Sequence, residues 1–141
     1  SYENIKTLAD YERIIYFGAL YAGGVKGLKN TVKKLSPNTK LVIVTVGLAD
    51  VCDQENISNI RNSIRKQVPE HLLKAASVFH LRGGIDYSKL NFKHRTMMKM
   101  LYHSLKSKPA ESLTQEDKTF IETYNKKVDF VDYDSLKLIA I

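Results

Sequence analysis

Apolar positions recur along this chain in two rhythms. Arg13-Ile14-Ile15-Tyr16-Phe17 is a β-branched and aromatic run that stops at Gly18, the pattern of a buried strand. After Gly23-Gly24-Val25-Lys26-Gly27, the residues Leu28, Val32 and Leu35 fall at helical spacing with Lys29, Lys33 and Lys34 between them. That spacing predicts a short amphipathic helix closed by Ser36-Pro37-Asn38. Lys40 to Val46 is apolar without alternation, as in a strand covered on both faces, and Gly47 ends it. Ile57, Ile60, Ile64 and Val68 return to helical spacing, with Arg61, Arg65 and Lys66 on the wet side and Pro69 as the stop. Ala76 to Leu81 is a third strand, ended by Arg82-Gly83-Gly84. Connections of this length are those of βαβ crossovers, and right-handed crossovers give a parallel three-stranded sheet.

The pattern changes at Lys89. From there to Lys108 the chain carries six Lys or Arg, two His and no acid. Leu90, His94, Met97, Met98, Leu101 and Leu105 share one predicted helical face, and Arg95, Lys99 and Lys106 the opposite one. Thr114 with Asp117 three residues on reads as a helix-starting box, followed by the apolar stripe Phe120, Ile121 and Tyr124. Val128 to Val131 is a short apolar run, either turn or strand. A last short helix opens at Asp134 or Ser135 and includes Leu136 and Ile139.

Composition narrows the class. With 141 residues, 43% apolar and 26% charged, the chain is expected to fold as one α/β domain, with a basic helical insertion around residues 86–113. The apolar runs exclude an intrinsically disordered chain. They reach only about six residues, against roughly 20 for a bilayer span. Cys52 is the single cysteine, so no internal disulfide forms, and a reducing cytoplasm is the expected setting. The 22 basic residues exceed the 15 acidic ones, giving a net charge of +7. That balance invites a nucleic-acid reading, but no helix-turn-helix, zinc or aromatic RNP pattern accompanies it, and no nucleic acid is expected as partner. His71, His80, His94 and His103 lack metal-ligand spacing, so no metal is expected. Cys52 has no basic neighbour to activate it and reads as a packing residue.

In parallel α/β sheets ligands sit beyond the carboxyl ends of the strands, which directs attention to Gly18–Gly24 and Gly47–Asp53. Neither segment is a Walker A loop or a GxGxxG fingerprint. Such loops offer main-chain N–H and C=O groups to a flat polar ring while an aromatic, here Tyr21, covers its face. That chemistry fits a flavin. The same glycines also serve as plain tight turns, and Asp50 also reads as a helix cap.

The run Asp10-Tyr11-Glu12-Arg13-Ile14-Ile15-Tyr16-Phe17-Gly18-Ala19-Leu20-Tyr21-Ala22-Gly23-Gly24-Val25 resembles the third strand and following loop of flavodoxin-domain proteins, in particular the branch related to menaquinone-dependent protoporphyrinogen oxidase. The likeness continues through Leu41 to Asp50. It extends through Phe79 to Leu101, where Gly84-Ile85-Asp86-Tyr87 precedes the basic helix, and through Val128 to Asp132. The resemblance implies a flavodoxin-like three-layer sandwich with a parallel sheet, order 2-1-3-4-5 in the full family, of which this chain covers strands 3, 4 and 5. It implies FMN as cofactor and electron transfer to a redox partner, with a quinone or a porphyrinogen as substrate. The expected contacts are the main chain of Ala19, Leu20, Tyr21, Ala22, Gly23 and Gly24 and of Gly47, Leu48, Ala49 and Asp50, with Tyr21 against the ring; no catalytic acid or base is identified.

The family's first strand and its Ser/Thr-rich phosphate loop have no counterpart here, and the chain starts at Ser1. This predicts an unpaired edge on the Arg13–Phe17 strand, and hence self-association or pairing with an absent N-terminal segment. The basic segment 89–108 is a candidate for peripheral membrane contact or for an anionic porphyrin. A reading of another class is a cofactor-free interaction module that uses the open edge and the basic helix.

Overall fold

The computed structural model describes residues 4–21 and 23–139; Ala22, in the first candidate loop, lies outside them. The first apolar run forms β1 (Arg13–Tyr21), which continues through Gly18 instead of stopping there. The glycine is needed for packing: a Cβ at Gly18 would lie 2.3 Å from Val25 Cγ1 and 2.7 Å from Tyr16 Cε1. Gly23, at φ 77°, turns the chain back into the two-residue β2 (Gly24–Val25), which pairs antiparallel with Leu20 and Tyr21. Gln67 fixes β2 from a distance, accepting from Val25 N at 2.9 Å and donating to Val25 O at 3.0 Å.

Helix α1 (Leu28–Val32) is shorter than the spacing predicts, and half-buried Leu35 lies beyond it in a tighter turn closed by Leu35 N to Val32 O. Strand β3 (Lys40–Gly47) and helix α2 (Gln54–Gln67) follow. Asp53, not Asp50, caps α2, its side chain accepting from Asn56 N at 2.8 Å. The sequence pattern missed the one-turn α3 (Glu70–Lys74), which leads into β4 (Ser77–Arg82). The sheet order is β2-β1-β3-β4, with β3 parallel to both β1 and β4, so the predicted parallel three-stranded core is present.

All three helices pack on one sheet face. Tyr16, Leu41 and Ile43 meet Leu28, Val32, Ile60, Ile64, Val68 and Leu72 there. On the opposite face Val44 is buried, but Ile15 and Phe17 are exposed, Phe17 at 55%. The expectation that Arg13–Phe17 is a buried strand is therefore corrected: Tyr16 is buried, but Ile15 and Phe17 are not. The strand's helical cover lies on one side only, and its outer edge before Leu20 has no strand partner among the described residues.

Beyond Gly83, β5 (Gly84–Asp86) pairs antiparallel with β6 (Lys127–Asp129), which assigns the 128–131 run to a strand. Between them lie α4 (Phe92–Lys106) and α5 (Gln115–Thr123). The predicted buried face of α4 is rotated. Met97 and Leu101 are exposed, whereas Leu105 is buried and Met98 and Tyr102 are half-buried. Tyr102 stacks on Tyr124 of the α5 end, with centroids 4.0 Å apart, and that contact sets the rotation. The Thr114–Asp117 capping box is formed as expected. The last helix is a 3-10 turn, Tyr133–Ile139. No helix among the described residues is long and apolar enough to cross a membrane.

On the helix-covered face Thr45 Oγ1 and His80 Nδ1 share a 2.7 Å hydrogen bond, and His80 Nε2 is buried with no hydrogen-bond partner among the described residues. Burial, reinforced by Arg61 of α2, holds the imidazole below its ordinary value of 6.5. The unfolded chain therefore takes up this proton first. Stability should fall as pH drops below 6.5 toward the depressed folded value, and His80→Gln should flatten that acid limb in urea titrations. Ile43→Ala, at a fully buried site, should cost about 2–5 kcal/mol in the same assay. Phe17→Ala should change stability by no more than about 0.5 kcal/mol.

Candidate functional site

The carboxyl ends of β1, β3 and β4 bring Tyr21, Gly47 and Arg82 to one edge of the sheet. On the β1 side, Tyr21 is 41% exposed. Ala19 O accepts from Lys26 N at 3.0 Å, and Gly23 O from Ser63 Oγ at 2.6 Å. A Cβ on Gly23 would meet nothing within 4 Å, so the turn opens to free space. Leu20 reaches across to β3: a Cβ on Gly47 would lie 2.6 Å from its Cδ1. A side chain at 47 would therefore displace the end of Leu20.

The loop after β3 is tied at every main-chain group from Gly47 O to Ala49 N. Gly47 O accepts from Gly83 N at 2.8 Å. Leu48 O accepts from both Arg82 Nε at 3.0 Å and Arg82 Nη2 at 2.7 Å. Leu48 N and Ala49 N donate to the two carboxylate oxygens of Glu116, each at 3.1 Å. Arg82 is itself braced, its guanidinium carbon 3.8 Å from the Phe130 ring centroid. Ala49 is buried, so this loop offers its amide edge rather than a side chain.

Asp50 is exposed and shapes the next turn, its Oδ1 accepting from Cys52 N at 2.8 Å and its carbonyl from Asn56 Nδ2 at 2.8 Å. Cys52 is exposed as well, which corrects its reading as a packing residue. No group of three or more His, Cys, Asp or Glu among the described residues stands where it could hold a metal ion. A hollow of about 470 Å³ lies at the other end of the sheet, against Asp10, Tyr11, Arg13, Asn38 and Lys40. It sits at the amino ends of the strands, away from these loops.

The structure therefore brings Leu20 of the first candidate loop against Gly47 of the second. It adds two residues that sequence reasoning missed, Arg82 and Glu116. Arg82 reads in the sequence as part of a strand stop, and Glu116 as one residue inside a capping box. Nothing local marks either as reaching the loop at 48–49, because both contacts are long-range.

A scan against family models matches residues 1–112 to the flavodoxin domain. The chain belongs to the flavodoxin-domain family. Comparison with curated proteins and with solved structures returned no match. The flavodoxin match includes both candidate loops and Arg82 and ends before Glu116. In this flavodoxin domain the second loop depends on the guanidinium. Arg82→Ala should cost about 1–3 kcal/mol, and amide hydrogen exchange at Leu48 and Ala49 should accelerate against that of Ile43 in the same sample.

Proposed function

We propose that this chain is an FMN-binding electron-transfer domain of flavodoxin type, taking the flavin ring between the loop after β1 and the loop after β3. The observation that carries the reading is the donor set at the end of β3. Two consecutive amides, Leu48 N and Ala49 N, converge on a pair of acceptor oxygens, the hydrogen-bonding pattern that the polar edge of a flavin demands. Exposed Tyr21 supplies an aromatic face on the neighbouring strand, and Gly23 leaves room for close approach.

A bound flavin brings one- and two-electron chemistry. The chain's own part is to hold and orient it. Tyr21 covers a ring face, the 48–49 amides bond the acceptor edge, and Arg82 keeps those amides aimed by fixing the Leu48 carbonyl. For the electron donor, the reading follows the sequence resemblance to the protoporphyrinogen oxidase branch. The cations of 89–108, without an acid among them, complement the propionates of a porphyrinogen.

The test is flavin fluorescence quenching on the chain as given. Quenching by FMN is expected, and no quenching at any protein concentration overturns the reading. Since the proposed contacts are to the ring, riboflavin should bind about as tightly as FMN. Tyr21→Ala should weaken both by about tenfold, the loss expected of one aromatic stacking contact.

A further inference from the structure

We infer that the Leu48–Ala49 amide pair is a binding site for a ligand with two neighbouring acceptor atoms, and that Glu116 is a built-in occupant which such a ligand displaces. The donors are set independently of what fills them. Gly83 N holds the Gly47 carbonyl and Arg82 holds the Leu48 carbonyl from the far side, so the two N–H groups keep their direction when Glu116 leaves. Two main-chain N–H groups on a carboxylate form charge-assisted bonds, here one to each oxygen at 3.1 Å.

Glu116 has no ion-pair partner within 4 Å among the described residues, so the amides alone hold its charge. Its helix does not need the contact. The start of α5 is secured by Thr114 Oγ1 accepting from Asp117 N and Asp117 Oδ2 accepting from Thr114 N, both at 3.1 Å. Glu116 also crowds Gly47: a Cβ there would lie 3.2 and 3.3 Å from its two oxygens. The carboxylate thus stands over the gap between the β1 and β3 ends, where an entering ring edge would come.

The occupant is supplied from 68 residues beyond Leu48 and from outside the matched residues 1–112. The class of ligand follows from the donor pair: a carboxylate, or the acceptor edge of a flavin, the latter resting on the function proposed above. A ligand that enters must meet the amides without Glu116 in place, so its apparent affinity is scaled by the fraction of molecules in which Glu116 has left.

Glu116→Ala and Glu116→Gln, read by ¹⁵N–¹H spectra and by flavin quenching, separate the two claims. Acetate should shift the Leu48 and Ala49 amides in Glu116→Ala and leave them nearly unmoved in the parent chain. Equal shifts in both proteins, or none in the variant, overturn the inference. FMN should bind Glu116→Ala about tenfold tighter than the parent, with Glu116→Gln between them. FMN affinity that is unchanged or weaker in Glu116→Ala overturns the displacement. Acetate shifts with no FMN binding by any of the proteins support the acceptor-pair site and overturn the flavin reading alone. If Glu116→Ala is not folded, the same acetate comparison in Glu116→Gln decides, because its side chain is uncharged and presents one acceptor oxygen where the carboxylate presents two.

Discussion

A strand buried in a sheet must satisfy its main-chain polar groups where it ends, and the site depends on how β3 meets that demand. Past Gly47 the ladder partners run out. The remaining carbonyls and amides are taken by the adjacent Arg82 and Gly83 and by Glu116, which come from two distant stretches of chain. The result is a loop whose direction is fixed from outside rather than by its own turn chemistry. Arg82 suits the task, since its planar fork gives two donors to one carbonyl while its face rests on Phe130.

The sheet behind this loop is asymmetric. One face carries α1, α2 and α3 over a continuous apolar cluster, and the other leaves Ile15 and Phe17 of β1 in water. The asymmetry separates two roles. The covered face supplies the stability that keeps the strand ends in register, and substitutions there propagate to the loops. The uncovered side of β1 makes little contribution to the same cooperative unit, so it is free to vary or to be covered by another surface.

Much of this architecture was legible in the sequence, for identifiable reasons. The β1, β3 and β4 runs are dominated by β-branched, aliphatic and aromatic residues, and the α2 stripe from Ile57 to Val68 is regular, so period alone located the parallel core. The capping box at Thr114 was equally local. Legibility failed where a residue acts at a distance. Gly18 looked like a stop because its packing against Val25 and Tyr16 requires the β2 turn to be known first. The face of α4 was misjudged because the Tyr102–Tyr124 stack, not aliphatic periodicity, decides its rotation. At the site, the loops were found from strand ends, but their partners Arg82 and Glu116 carry no local sign of their targets.

The separation of Leu48 from its partners has a consequence during synthesis. Arg82 follows Leu48 by 34 residues and Glu116 by 68. At about 5–20 residues per second, some 3–14 s pass between the emergence of Leu48 and that of Glu116. Through the second half of that interval β3 and its guanidinium brace are already available while the carboxylate is not. The nascent chain thus passes through a stage in which the amide pair is aimed and vacant, and a small molecule bound then would reach the pair before its own residue does.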